Sequence, residues 1–323
     1  MTRNKTGIAA LMERLHIRPL YIAIIVYVII LSLIKPVFFT WGNWMNLLRQ
    51  VAVYGIMSCG ITFVMLTGRT ELSAGMMISL LCEISCWFVI PSIDNQFLAI
   101  VVPIALGAVF GLLNGVLVGV IKLNSFVATL STMSVFTGLG LLFYNSVEQL
   151  MAGDNCRVYR FIGSGTVFGI TMPVIICAVV VIICHIVLKR TVFGQHIYAV
   201  GGNIVNARYS GINPTRVIVS AYVISGLLTG VASVVMTART LGINSKMGGG
   251  YEFTCLTAIV IGGINLKGGK GSVFGSIIGV LILGIIFNSF TILGLSSSWQ
   301  DVAEGIILLA AVAVQLIGVG GKK

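Results

Sequence analysis

The chain has 323 residues, of which 57% are apolar before its 39 glycines are counted, and only 9% are charged. Soluble domains carry about 25% charged residues, so this composition excludes a soluble enzyme, a nucleic-acid binder and a disordered scaffold and leaves an integral membrane protein. The formal net charge of +11 is read through loop position, because cytoplasmic loops of membrane proteins collect Lys and Arg.

A spanning helix needs about 20 mostly apolar residues. Ten runs meet or approach that length, at roughly 20–34, 47–66, 72–90, 97–121, 126–145, 170–188, 217–236, 252–264, 271–292 and 299–317. They predict an all-α polytopic membrane protein of about ten transmembrane helices, folded as a single transmembrane domain over residues 1–323. The first run, Leu20 to Ile34, has no small-residue cleavage site after it and reads as a retained helix. Lys35 beyond it can snorkel. The second run carries Arg49 near its start and the third carries Glu83 at its middle. In the fourth, Phe110-Gly111-x-x-x-Gly115-Val116-Leu117 recurs 164 residues later in the ninth as Phe274-Gly275-x-x-x-Gly279-Val280-Leu281. Spans five apart run in opposite directions, so the recurrence predicts an inverted internal repeat with a solute path at its interface. The same glycine spacing is also a common packing motif of membrane helices.

After the fifth run, an outer connection at about 146–169 carries Glu148, Asp154, Arg157 and Arg160 and is expected to fold over the outer mouth. After the sixth comes an inner connection at about 189–216, longer than the ~12–15 residues beyond which a loop is usually functional or disordered. Within it, Asn203 to Ser210 reads as a short helix bounded by Gly201-Gly202 and by Gly211, with Pro214 beyond, a pattern of helix ends. A short helix on the cytoplasmic face is a docking element. The eighth run, Phe253 to Ile264, is too short for an ordinary span and predicts a broken or tilted helix lining a cavity. With the N-terminus inside, the inner loops hold 14 Lys and Arg and the outer loops 5, which puts both termini in the cytoplasm.

The chemistry of the chain is that of transport or anchoring. Gly268-Gly269-Lys270-Gly271-Ser272 has Ile264 where a phosphate loop needs its first glycine and Gly271 where it needs Ser or Thr. It is expected to form a tight inner turn, with no nucleotide or other cofactor on this chain. Cys82 and Cys86 lie one helical turn apart without further ligands, so no metal site is expected. Six of the seven cysteines lie in apolar runs and read as small buried hydrophobes. No nucleophile is grouped with a base, which speaks against an enzyme. A charge inside a span costs about 2.5–3.5 kcal/mol or more. Glu83 is therefore either a proton relay or solute ligand in a central cavity, or a neutral, hydrogen-bonded or Arg-paired group that fixes packing. The packing reading is preferred for Arg49 and Glu304. His16, His185 and His196 sit in solvated edge positions.

The stretch Phe193-Gly194-Gln195-His196-Ile197-Tyr198-Ala199-Val200-Gly201-Gly202-Asn203, followed by Ala207-Arg208-Tyr209-Ser210-Gly211-Ile212, resembles the cytoplasmic coupling loop of ribose-type ABC importer permeases, the simple-sugar permease family. Thr67-Gly68-Arg69-Thr70-Glu71-Leu72-Ser73-Ala74-Gly75, Gly250-Tyr251-Glu252 through Ile261-Gly262-Gly263, and Gly268-Gly269-Lys270-Gly271 leading into Phe274-Gly275 are similar to further stretches of that family. The resemblance extends from about residue 38 to the C-terminus. It implies a permease subunit of the bacterial inner membrane that forms the path for ribose or another small sugar, paired with an identical or related second permease. It also implies a cytoplasmic ABC ATPase, which binds the ATP and Mg, and an outer sugar-binding protein. The coupling residues it implies are Gly201, Gly202, Asn203, Ala207, Arg208, Ser210 and Gly211, with the small ones letting the ATPase backbone approach. Glu71, Glu83 and Glu252 are candidates for the path or for a structural motif. The chain departs from the family pattern at Arg69, Glu71, Asn124-Ser125, Thr137 and Thr254. Two other classes remain: a proton-coupled secondary transporter using Glu83 and Glu304, and a structural membrane protein with no path.

Overall fold

The computed structural model describes residues 19–89, 95–144, 156–244 and 246–320. Its helices are α1 (Pro19–Ile34), α2 (Trp41–Leu66), α3 (Ala74–Trp87), α4 (Gln96–Gly115), α5 (Ser125–Tyr144), α6 (Arg157–Ser164), α7 (Met172–Arg190), α8 (Val192–Gly202), α9 (Ile204–Tyr209), α10 (Pro214–Thr240), α11 (Tyr251–Ile261), α12 (Val273–Ile292) and α13 (Ser297–Gly320). Side-chain caps set many of the starts by occupying N–H groups that have no intrahelical partner. Thr40 accepts from Asn43 N, Asn95 from Leu98 N, Asn213 from Arg216 N and Ser272 from Gly275 N. The helix α4 runs on through a π-helical turn at Val116–Val120.

Among the described residues six helices are long and apolar enough to cross a bilayer: 41–66, 96–120, 125–144, 172–190, 214–240 and 273–292. The short eighth run is indeed short, as α11 is 11 residues. The third run differs from expectation, because α3 occupies only 14 residues of the 72–90 stretch. At 1.5 Å per residue these helices reach about 17 and 21 Å, less than the ~30 Å of a hydrocarbon core. The missing length is used by the chain doubling back into the bundle. Gly68 lies beside the carbonyl of Lys267 at one end of the bundle, whereas Gly75, seven residues on, lies against Gly248 and Glu252. There the N-termini of α3 and α11 meet. A Cβ on Gly75 would stand 1.7 Å from Glu252 Oε2, and Gly248 N donates to Ser79 Oγ at 2.8 Å.

The helices α2 and α10 form the buried centre and pack on each other. Around them the packing repeats. α2 packs on α11 and α12 as α10 packs on α3 and α4, while α3 packs on α4 and α5 as α11 packs on α12 and α13. Exchanging α2–α5 for α10–α13 therefore maps these contacts onto themselves, the arrangement an internal repeat requires. The glycine motif that suggested the repeat is not used equivalently. Gly111 and Gly115 lie against α10 at Tyr222 and Val219, whereas Gly275 and Gly279 lie against the last turn of α11 at Gly262 and Ala258.

Two connections hold structure that hydropathy does not reveal. In the outer one of this all-α fold, β1 (Thr166–Val167) and β2 (Ile170–Thr171) pair antiparallel, Thr166 opposite Thr171 and Val167 opposite Ile170. Phe168 and Gly169 take φ of 52° and 78° at the tip, the left-handed pair that matches strand twist in a two-residue hairpin. Of the outer connection, Glu148 and Asp154 lie outside the described residues. Its described part, from residue 156 on, is tied down through α6, where Tyr159 OH donates to Ala99 O at 2.8 Å and also bonds Ser85 Oγ. The inner connection holds two helices rather than one. Thr191 caps α8 by accepting from Gly194 N, so the stretch before Asn203 is ordered helix and Gly201-Gly202 are its last residues.

The α4–α10 contact is backbone against backbone, since a Cβ on Gly226 would stand 2.0 Å from Gly107 O. Gly226→Val is expected to lower stability by about 1–3 kcal/mol or more and to broaden the size-exclusion peak of the detergent-solubilised protein. Gly138→Ala, at a site with nothing within 4 Å, is the neutral comparison. Gly75→Ala is expected to displace Glu252 and lower the melting temperature measured in the same detergent; an unchanged value would refute the close junction of α3 and α11.

Candidate functional site

The chain between α2 and α3 is fixed by side-chain oxygens. Glu71 Oε1 accepts from Ser73 N at 2.7 Å and from Ser73 Oγ at 2.6 Å, so the carboxylate takes up one of the free N–H groups at the start of α3. Asn114 of α4 reaches the same cluster, donating to Ser73 Oγ at 2.8 Å and to Glu71 Oε2 at 3.3 Å. Tyr222 OH donates to Thr70 O at 2.7 Å, and Thr70 N donates to Ser125 Oγ at 3.2 Å. Three helices thus hold one short strand of backbone. Asn114 was not singled out from the sequence, although an amide in an otherwise apolar run is the signal that points to it.

Glu252 is 1% exposed and lies in the first turn of α11, where the helix dipole favours a negative charge. The structure therefore brings Glu71 and Glu252 to the two helix starts that meet at Gly75. Glu83 is elsewhere, farther along α3 and facing Gly140 of α5. Neither of its oxygens has a hydrogen-bond partner among the described residues, so of the two readings open for Glu83 the hydrogen bond or Arg pair of the packing one is not formed there. Arg49 Nε likewise has no hydrogen-bond partner among the described residues. Glu304 accepts from Thr254 Oγ1 at 2.9 Å, joining α13 to α11. Glu83 and Glu304 thus engage different helices.

Beside Glu304 lies a cavity of 390 Å³, lined among others by Tyr54, Tyr251, Thr254, Gln300, Asp301 and Glu304. The rings of Tyr54 and Tyr251 are 4.5 Å apart. Aromatic faces, two carboxylates, an amide and a hydroxyl give apolar platforms together with many hydrogen-bond acceptors, and among the described residues no lining side chain is basic. The size lies in the range of small-molecule sites. The expectation that the short eighth helix lines a cavity holds here, because Tyr251 and Thr254 are its first-turn residues. Of the three from α13, the sequence pointed to Glu304 as a charge inside a span; Gln300 and Asp301 were missed, although their spacing from Glu304 places them on the same side of a helix.

At the end of the bundle that carries α8 and α9, Asn203 caps α9 by accepting from Val205 N at 2.9 Å and Asn206 N at 3.0 Å. Gly211, with φ of 81°, closes it. Gly202, Asn203, Arg208, Ser210 and Gly211 are exposed, as are Ile204, Val205 and Tyr209. Ala207 is not on that surface. It is 4% exposed and packs in the main core cluster, because α9 must turn one small residue inward to seat on the bundle. Gly201 also faces inward, where a Cβ would stand 1.8 Å from Leu66 O. His196 is half-buried on α8, and His185 packs its ring 4.4 Å from Phe274. His16 lies outside the described residues.

The family model described as "Branched-chain amino acid transport system / permease component" matches residues 43–312. The ribose import permease protein of Haemophilus influenzae is 36% identical over 315 residues, 97% of this chain and 97% of the relative. That of Bacillus subtilis is 38% identical over 292 residues, 90% of each chain. The galactose/methyl galactoside import permease protein of Haemophilus influenzae is 30% identical, covering 94% of this chain and 95% of the relative. No solved structure matches the chain. With six helices able to cross a bilayer among the described residues and relatives aligned over nearly its whole length, the chain belongs to this family of transport-system permease components and is a multi-pass membrane protein.

Proposed function

We propose that the chain is the membrane subunit of an ATP-driven importer for a small, uncharged, polyhydroxylated solute of the sugar class. The 390 Å³ cavity carries this reading. Hydroxyl groups donate to its carboxylates and amide, while the carbon skeleton lies against Tyr54 and Tyr251. An amino acid, the solute in the family model's description, brings a carboxylate that needs a cation, and the lining supplies none. Relatives named for ribose, galactose and fructose import agree with a sugar. The chain acts in the bacterial inner membrane as a single transmembrane domain.

Its partners are a second permease subunit, an outer binding protein that delivers the solute and a cytoplasmic ABC ATPase. The ATPase binds the ATP and Mg, and this chain carries no cofactor. The coupling loop at about 189–216 presents α9 to a groove on the ATPase through Ile204, Val205, Arg208 and Tyr209. Gly202, Asn203, Ser210 and Gly211 keep the approach close, while Gly201 and Ala207 anchor the helix from beneath.

Uptake of labelled ribose, galactose, fructose and leucine by cells carrying the complete transport system tests the solute class. Saturable uptake of one sugar is expected to fall at least about tenfold in Tyr251→Ala and in Glu304→Gln, at unchanged membrane abundance, corresponding to ~1.4 kcal/mol of lost binding. Uptake of leucine without any sugar would overturn the assignment. For docking, Val205→Glu is expected to leave membrane abundance normal and abolish co-purification of the ATPase. Ala207→Glu instead buries an unpaired charge at a cost of several kcal/mol and is expected to deplete the protein itself.

A further inference from the structure

A second cavity, of 590 Å³, opens beside α9 between the α2–α3 connection and the α4–α5 turn. Three cations from three separate segments line it: Arg69, Lys122 and Arg208. Among the described residues none that lines it is acidic. Glu71, two residues from Arg69, is turned away into the bundle onto Ser73 and Asn114. Lys122 holds a φ of 65°, in the left-handed region where glycine would sit without strain. A lysine kept there places its charge at the cavity at a conformational cost. Asn124 uses its amide oxygen on Phe126 N at 3.0 Å, which leaves its N–H groups for a ligand. Ser125 and Thr215 add hydroxyls.

We propose that this cavity is a binding site for a phosphomonoester, with Arg69, Lys122 and Arg208 on the phosphate and Asn124, Ser125 and Thr215 on the hydroxylated remainder. A bare inorganic anion would leave most of 590 Å³ unfilled, whereas a small phosphorylated polyol uses both the cations and the neutral polar groups. A dianion held by several cations forms charge-assisted hydrogen bonds, stronger than neutral ones. Loop charges assign this end of the bundle to the cytoplasm, where phosphorylated metabolites are confined. Because Arg208 belongs to α9, the bound phosphate ties α9 to the α4–α5 turn and restrains the docking helix. The site stands independently of which solute the chain transports.

The test uses the full chain purified into phosphatidylcholine nanodiscs at low ionic strength, with glucose 6-phosphate as probe and glucose and inorganic phosphate as comparisons, read by isothermal titration calorimetry. Saturable binding of glucose 6-phosphate is expected, weaker with inorganic phosphate, and any binding of glucose itself is expected to be unchanged in the variants below. Arg69→Gly and Lys122→Gly, the second of which also relieves the left-handed strain, are each expected to weaken it at least about tenfold without lowering the melting temperature. A phosphomonoester also occurs as the headgroup of phosphatidic acid. If soluble phosphate esters do not bind but phosphatidic acid is retained through purification and lost in both variants, the site stands with a lipid as the source. Binding of neither, or binding of either that both variants leave unchanged, overturns the proposal.

Discussion

Two helix N-termini that converge inside an apolar bundle bring two positive dipole ends together, each equivalent to about half an elementary charge. That arrangement is tolerable only if negative charge and hydrogen-bond acceptors are built in beside it. Glu71 at the start of α3 and Glu252 in the first turn of α11 supply them. Gly75 and Gly248 remove the side chains that would hold the two starts apart. Much else follows from this junction. It fixes where α11 begins, and hence where Tyr251 and Thr254 enter the polar cavity. It also obliges the chain after α2 to double back, which leaves Arg69 half-buried at the opposite end.

The surrounding helices supply rigidity to that centre. Contacts such as Gly107 against Gly226 bring α4 and α10 together without intervening side chains, the close packing on which membrane helices rely when no hydrophobic gain separates lipid from protein. Polar cross-links add to it at defined depths. Asn43 and Asn288 exchange amide hydrogen bonds between α2 and α12, and Gln315 of α13 donates to the carbonyls of Val260 and Ile264 at the end of α11. The second of these satisfies acceptors that a short helix would otherwise leave unpaired within the bundle.

Much of this architecture was legible from hydropathy, because length and apolarity are properties of single segments. The short capped helix at Asn203 to Gly211 was legible for the same reason, since its cap and its left-handed glycine are local. Long-range geometry was not. The 72–90 run reads as an ordinary span, and only the packing of Gly75 on α11 shows that α3 begins inside the bundle. The helix α8 was hidden by Gly194 and the terminal glycine pair, residues that signal loops but serve here as close contacts. Ala207 illustrates the limit most plainly: on a six-residue helix no periodicity is long enough to tell the seated face from the free one. Glu71 and Glu252 were visible as charges near spans, but their relation to two facing helix starts depends on residues some 180 positions apart.

The seating of α8 bears on how motion travels through the molecule. Gly201 lies against the carbonyl of Leu66, and that same carbonyl accepts from Gly269 N at 2.9 Å. Three distant segments, the end of α8, the end of α2 and the turn between α11 and α12, therefore touch through main chain alone. Side chains can absorb a push by changing rotamer; peptide planes in direct contact cannot. A displacement delivered to α9 arrives at this knot with almost no slack. The knot acts as a stiff bearing, passing force in parallel to the central helix α2 and to the short helix that lines the polar cavity.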